Sequence, residues 1–252
     1  MNTRETLLQR LEAIGTSLAG DEDALALLSL GSVGQELDRL DEFSDLDFFV
    51  VVRRGAKQRF LSDLGWLDAV APVVFSHRGT RDGLHILFAD RIYCEMAIFT
   101  VAELGRSHYT PGRLIWKRSS VDESLAEPAT PLPAPRPPAV TLLLGEILCN
   151  LYVGAQRYRR GEQLAAAREV QWYALDRMLE LAPHLETEMT ARRDPFAPTR
   201  RFEQRFPQMA VHLAAFQPGY EGTLEAVRAM LDFLEPRVEL NPAMVAAIRE
   251  ML

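Results

Sequence analysis

The segment LLSLGSVGQELDRLDEFSDLDFFVVV, from Leu27 to Val52, decides the fold of the first part of this chain. An apolar run ends at Gly31-Ser32, and a polar, acid-rich stretch of twelve residues follows, from Val33 to Ser44. Asp45-Leu46-Asp47 then opens a second apolar run that continues to Val52. Two apolar runs separated by a glycine turn and a polar loop predict two strands of one sheet.

The two acids at the start of the second run form the first candidate site. Residues i and i+2 of a strand share a face, so Asp45 and Asp47 are expected side by side. Adjacent carboxylates repel each other unless a cation lies between them, and Mg²⁺ prefers such oxygen ligands together with substrate phosphates. Acid pairs are also common in turns, but this pair leads directly into a strand too apolar for a surface loop. We therefore predict that Asp45 and Asp47 bind Mg²⁺.

The glycine turn and the acid pair together resemble a known signature. The nucleotidyltransferase superfamily typified by DNA polymerase beta has Gly-Ser or Gly-Gly, a short spacer, and then Asp-x-Asp or Asp-x-Glu. Gly31-Ser32 and Asp45-Leu46-Asp47 match this signature. The resemblance implies transfer of a nucleoside monophosphate from a nucleoside triphosphate, with loss of pyrophosphate.

The bulk composition limits the class of partner. The chain has 252 residues, 48% of them hydrophobic and 25% charged, with a net charge of -7. Proteins that bind nucleic acid through phosphate contacts are usually basic on one face, so we expect a small acceptor molecule and no long nucleic acid. Two cysteines are too few for a disulfide scaffold. The amphipathic N-terminus and the absence of a membrane-length apolar stretch predict a soluble cytoplasmic protein with no membrane partner.

Apolar periodicity divides the chain into a sheet half and a helical half. A helix is predicted over residues 3–18 and a short helix over 56–64, and the strands are predicted over residues 24–30, 47–52, 70–76, 84–88 and 92–99. Residues 1–126 are thus expected to form an α+β domain like that of polymerase beta. The stretch EPATPLPAPRPP, residues 127–138, holds six prolines and predicts an extended linker. Residues 139–252 read as an all-helical bundle.

A third carboxylate stands on another predicted strand. Glu95 is the only acid between Ile92 and Phe99, and a carboxylate in a buried strand is rare unless it is paired or bound to metal. The structural alternatives are an edge strand facing solvent or a salt bridge to Arg91. We predict that Glu95 is a general base for an acceptor hydroxyl or completes the metal shell.

Four further residues are predicted to contact the nucleotide. Gly31 lets the backbone approach phosphate oxygens, and Ser32 adds a hydroxyl donor. Ser44 precedes the acid pair within the matching motif. Lys117 follows an apolar run and is a further candidate for phosphate contact. With the acid pair, these residues predict a site for a nucleoside triphosphate, with ATP as the expected donor.

A narrower resemblance covers most of the chain at separated islands. The chain looks like the two-domain lincosamide nucleotidyltransferases, and the islands that match are Gly31-Ser32, residues 44–48, 65–67, 70–72, 94–96, 148–150 and 159–162. In that family the aspartate motif binds metal and the later strand glutamate is the proposed base, positions held here by Asp45, Asp47 and Glu95. The resemblance also implies a homodimer whose active site draws on both subunits.

These observations predict a Mg²⁺-dependent enzyme that moves AMP, or another nucleoside monophosphate, onto a hydroxyl of a small molecule. A lincosamide or an aminoglycoside antibiotic is the expected acceptor. One alternative keeps the chemistry and takes a protein side chain as the acceptor. Another is a non-enzymatic nucleotide-binding or antitoxin-like protein, against which the three intact acids argue.

Overall fold

The computed structural model describes residues 3–132, 138–191 and 193–252. The chain divides into two compact units at residues 134 and 135. Residues 133–137 of the predicted linker lie outside the described residues. Within the described ranges, no helix is long and apolar enough to cross a bilayer.

A six-stranded mixed sheet forms the centre of the first unit. Its strands run in the order β3-β4-β5-β2-β1-β6. The strands are β1 (Ala24–Ser29), β2 (Leu46–Val52), β3 (Val73–His77), β4 (Gly83–Phe88), β5 (Tyr93–Thr100) and β6 (Arg113–Lys117). β2 and β5 pair in parallel, whereas all other neighbours are antiparallel. With the helices of both units, this sheet confirms the predicted α+β fold class.

One face of the sheet carries the main core of this unit. The helices are α1 (Arg4–Ala19), α2 (Lys57–Ser62), α3 (Gly65–Asp68) and α4 (Val101–Leu104). Leu7, Leu11, Ile14 and Leu18 recur at helical spacing along α1 and are buried against strand residues that include Phe48. Residues with the opposite pleat contribute to a smaller cluster on the other face, with Tyr109 among its members. The main core therefore covers one face of the sheet, and the smaller cluster packs on the other.

Strand β6 was not predicted from the sequence. Its five residues, RLIWK, are half-buried and end in a lysine, so they show no clear alternation. The strand exists because it pairs antiparallel with β1, a partner more than eighty residues away in the chain. β3 also begins later than predicted, at Val73, immediately after Pro72.

The second unit is helical in the ranges described. Its helices are α5 (Val140–Arg159), α6 (Gln163–Arg168), α7 (Leu175–Leu185), α8 (Phe202–Arg205), α9 (Pro207–Ala210), α10 (Leu213–Phe216), α11 (Thr223–Leu234) and α12 (Pro242–Arg249). A π-helical segment, Glu169–Ala174, joins α6 to α7. Residues 202–216 form three separate helical turns, and Pro207 begins the second of them. Proline lacks the N–H that would continue the preceding turn.

Candidate functional site

Two of the predicted carboxylates lie directly opposite each other. Asp47 of β2 and Glu95 of β5 are register partners in the parallel ladder. Neighbouring strands are about 4.8 Å apart, and partners in register project to the same face. Leu46 and Phe48, on either side of Asp47, are buried in the main core. Asp47 and Glu95 therefore share the face opposite that core.

Asp45 lies immediately before β2 and is half-buried. Its carboxylate is close to the first residues of β5. Partial burial raises the pKa of the Tyr93 hydroxyl, and the negative charges of Glu95 and Asp45 raise it further. Burial also raises the pKa of the Cys94 thiol, with a smaller contribution from Asp45. Asp45 therefore lies near the end of the β2–β5 pair at which Asp47 and Glu95 stand.

The predicted glycine turn is next to these acids. Gly31–Val33 forms a 3-10 turn after β1, and the amide of Leu30 donates to the carbonyl of Asp47 at 2.8 Å. Gly31 has a φ of +55°, in the left-handed region that favours glycine. A Cβ built at this position would lie 4.0 Å from Asp47 Oδ2. The half-buried Ser32 belongs to the same turn, so the structure brings Gly31 and Ser32 beside Asp47.

Two donors anchor this turn from the body of the sheet. Ser29 Oγ donates to the Val33 carbonyl at 2.9 Å, and Arg113 Nη2 donates to the same oxygen at 3.1 Å. Ser29 is fully buried and opposes Arg113 across the β1–β6 pair. Neither residue was predicted from the sequence, because their contribution depends on the pairing of β6 with β1. A polar residue inside the apolar first strand was the available signal for Ser29.

The other two predicted nucleotide contacts are differently engaged. Ser44 Oγ donates to Asp41 Oδ1 at 3.0 Å and accepts from the Asp41 amide at 3.0 Å, closing a turn before β2. Lys117 pairs with Ala26 at the far end of β6, and its ammonium donates to the Val121 carbonyl at 3.1 Å. Lys117 stands four residue steps, about 13 Å, along β6 from Arg113, at the end that adjoins the glycine turn. The structure does not bring Lys117 to the three acids.

The surroundings of Glu95 match the first structural alternative in part, because its side chain faces solvent although its strand is not an edge strand. β5 is an interior strand between β4 and β2, although the Glu95 side chain is 52% exposed. Its Oε1 lies 3.6 Å from Nδ1 of His85, its register partner on β4, and no ion pair to Arg91 is found in the described ranges. That same Nδ1 is 2.8 Å from the Tyr93 hydroxyl. His85 and Tyr93 were missed, although Tyr93 stands two residues before Glu95, the spacing of one strand face.

The acid set suits a metal ion that arrives with a substrate. In the part of the chain that the structure describes, no group of three or more His, Cys, Asp or Glu side chains converges to hold a metal ion. The predicted ligand set of Asp45, Asp47 and Glu95 is therefore not assembled as a protein-only site. Mg²⁺ commonly takes one or two carboxylates and fills its shell with phosphates and water. Asp45 and Asp47 fit that smaller role.

Comparison with known proteins finds distant similarity among solved structures. No protein-family model matches this chain, and none of the curated proteins matches it in sequence. Among solved structures, the chain is similar to an aminoglycoside 6-adenyltransferase from Bacillus subtilis, with a TM-score of 0.35 and 11% sequence identity. The match covers 100% of this chain and 92% of that chain. At this TM-score and identity the similarity assigns no activity.

Proposed function

We propose that this protein is a Mg²⁺-dependent nucleotidyltransferase that moves a nucleoside monophosphate, from ATP as the expected donor, onto a hydroxyl of a small molecule. The observation that carries the proposal is the pairing of Asp47 with Glu95 on one open face, with Gly31 beside Asp47. This arrangement combines ligands for a metal–triphosphate complex with a base within one strand spacing. Two carboxylates directly opposite each other on neighbouring strands repel, so packing alone does not explain this pairing.

Each residue has a role in this reaction. Asp45 and Asp47 would hold Mg²⁺, which neutralises charge on the triphosphate and on the departing pyrophosphate. The turn at Gly31 and Ser32 would contact phosphate oxygens. Glu95 would accept the proton of the acceptor hydroxyl. The acceptor oxygen then forms a bond to the α-phosphorus as the bond to pyrophosphate breaks, and pyrophosphate carries away the electron pair.

The acceptor is proposed to be a small hydroxyl compound of the lincosamide or aminoglycoside class. The net charge of -7 disfavours a polynucleotide and favours a neutral or cationic acceptor. A homodimer, which the family resemblance implies, belongs to the same proposal. Sedimentation equilibrium of the purified protein measures that state independently of activity.

The proposal is tested by mass spectrometry of an antibiotic panel incubated with protein, Mg²⁺ and each nucleoside triphosphate in turn. We expect one compound to gain the mass of a nucleoside monophosphate, and pyrophosphate to appear in equal amount. Label from ATP on a protein band, with every small molecule unmodified, would instead support a protein acceptor. Absence of any transfer, in protein that is folded, would contradict the proposed function.

A further inference from the structure

Four polar side chains form a continuous row across four adjacent strands. His77 of β3 pairs with His85 of β4, His85 pairs with Glu95 of β5, and Glu95 pairs with Asp47 of β2. Partners in register project to the same face of a sheet. The row thus runs from the sheet edge at β3 to the candidate metal ligand Asp47. Glu95 is therefore not an isolated surface acid, because it belongs to a row of polar side chains in unbroken register.

Beside this row, the Tyr93 hydroxyl is hydrogen-bonded to His85 and interacts with the Glu95 carboxylate. The His85 Nδ1 atom is 2.8 Å from the Tyr93 hydroxyl and 3.6 Å from Glu95 Oε1. A tyrosine hydroxyl has one proton to donate, and an ionised carboxylate can only accept. The arrangement that uses every group runs from His85 Nδ1–H to the Tyr93 oxygen, and from the Tyr93 hydroxyl to the Glu95 carboxylate. Each donor then has an acceptor.

The His85 ring is confined on several sides. It stacks between the rings of His77 and Tyr93, with centroid distances of 6.0 Å and 6.2 Å and interplanar angles of 20° and 21°. A Cβ added at Gly79 would lie 2.4 Å from His85 Nε2, so this ring edge packs against the glycine backbone. A residue larger than glycine at position 79 would displace the ring. These contacts fix the direction in which Nδ1 points.

We propose that His85 and Tyr93 are positioning residues that hold the Glu95 carboxylate in the orientation of a general base, an inference that rests on the proposed nucleotidyl transfer. An exposed glutamate without such contacts would occupy several rotamers, and a base must lie within hydrogen-bond reach of the proton that it removes. The same contacts draw Glu95 toward β4, the side away from Asp47. Glu95 then acts as the base and leaves the metal to Asp45 and Asp47.

The contacts are tested first by NMR of the histidine ring nitrogens, a measurement that needs no activity. The His85→Phe variant identifies the His85 signals by their loss. We expect the Nδ1 signal of His85 to shift in Tyr93→Phe and in Glu95→Gln, and to stay unchanged in Tyr220→Phe, a substitution at an exposed tyrosine of the other unit. An Nδ1 signal that responds to neither Tyr93→Phe nor Glu95→Gln would overturn the inference.

The second test separates kcat from KM in nucleotide transfer. We expect Tyr93→Phe and His85→Phe to lower kcat by roughly 10- to 100-fold, the effect of a misplaced catalytic group, with KM for the triphosphate and the Mg²⁺ requirement unchanged. His85→Asn should recover most of the loss, because the asparagine amide places a donor near the position of Nδ1. His108→Phe, at an exposed histidine in the same unit, is the matched control.

The outcomes distinguish this inference from the proposed function. If the wild-type protein transfers nucleotide and both variants retain full kcat, the positioning role is refuted while the function stands. A raised Mg²⁺ requirement in Tyr93→Phe would also refute it, because Glu95 would then serve the metal. If the wild-type protein transfers nothing, the proposed function fails, and the NMR comparison still decides whether the contacts that hold Glu95 exist.

Discussion

Asp47 and Glu95, 48 positions apart in the chain, lie directly opposite each other on two parallel strands. Parallel neighbours need a crossover connection, and here the intervening segment supplies two short helices and the hairpin of β3 and β4. The pairing of β2 with β5 therefore brings the candidate metal ligand and the candidate base to one face. His85, on the last strand before β5, is the next member of the row beside Glu95, and His77 follows it on β3.

Alanine at position 31 should weaken both stability and nucleotide binding. The φ of +55° at Gly31 costs a residue with a side chain about 1 kcal/mol. The new methyl group would also face Asp47 Oδ2 at 4.0 Å, on the side from which phosphate is expected to approach. We expect Gly31→Ala to lower the unfolding free energy by about 1 kcal/mol and to raise KM for the triphosphate. Denaturant unfolding and steady-state kinetics measure the two effects.

Gly145→Ala is the matched control for this substitution. Gly145 lies within α5, and an added Cβ there meets nothing within 4 Å. Because alanine is favoured over glycine inside helices by about 1 kcal/mol, this variant should be more stable than wild type. If Gly31→Ala and Gly145→Ala changed the unfolding free energy by the same amount in the same direction, the conformational argument for Gly31 would be contradicted.

The residues of the candidate site differ in how far the sequence alone could predict them. Gly31, Asp45 and Asp47 are legible because they stand within one short segment, where strand alternation and glycine geometry are local properties. Glu95 is legible as an acid within an apolar strand. The register partner of Glu95 on the neighbouring strand cannot be predicted in this way, because register depends on pairing between distant segments. The contributions of His85, Tyr93 and Arg113 depend on that pairing, so they emerge only from the structure.

The limits of local patterning also account for the errors in the fold. β6 has a half-buried pattern without alternation, and it is a strand because β1 offers an edge to pair with. Lys117 looked like a phosphate ligand because it follows an apolar run. In the paired strand it lies at the end of the sheet away from Gly31. The position of Lys117 along the chain does not indicate at which end of the sheet its side chain will lie.

Arg113 anchors the glycine turn and Lys117 does not, so substitutions at these two residues should change KM for the triphosphate by different amounts. Arg113→Met removes a donor to the Val33 carbonyl and should destabilise the turn by about 1 kcal/mol, raising KM for the triphosphate. Lys117→Met removes the bond to Val121 and the 3.8 Å ion pair with Glu123, both near the other end of β6, so KM should change less. Steady-state kinetics with varied triphosphate measure both. A larger rise in KM for Lys117→Met would contradict the placement of the nucleotide beside Gly31.

Acid should destabilise the first unit in part through Glu103. This carboxylate accepts from the Thr100 amide at 2.8 Å and from Lys57 at 2.9 Å, closing a capping box at α4. Burial opposes ionisation, but these bonds prevail and lower the pKa of Glu103 to about 2 from an ordinary 4.5. A pKa lowered in the folded state contributes stability above pH 4.5 or so, and this contribution is lost as the pH falls toward 2.

Glu103→Gln isolates the charge, because glutamine can still complete a capping box. We expect this variant to lose about 1 kcal/mol at neutral pH and to show a flatter decline of unfolding free energy between about pH 5 and pH 2. Glu123→Gln, at a side chain that is 85% exposed, is the control and should follow the wild-type curve. Superimposable pH profiles for Glu103→Gln and wild type would refute the assignment.

Glu95→Gln and Asp47→Asn should fail in different ways. Loss of a general base typically reduces the rate by about 10²- to 10⁴-fold, so Glu95→Gln should lower kcat and leave the Mg²⁺ requirement unchanged. Asp47→Asn removes metal-binding charge with little change in volume and should raise the Mg²⁺ requirement as well. Kinetics with varied Mg²⁺ separate the two variants. A raised Mg²⁺ requirement for Glu95→Gln would assign Glu95 to the metal.

Mass spectrometry of products from wild-type protein and Asp47→Asn tests the central claim most directly. Each protein is incubated with Mg²⁺, each nucleoside triphosphate and the antibiotic panel, and thermal unfolding verifies that both are folded. We expect an acceptor carrying one nucleoside monophosphate with wild type, and no product with Asp47→Asn at a Mg²⁺ concentration that just saturates the wild type. Undiminished product from folded Asp47→Asn would contradict the central claim.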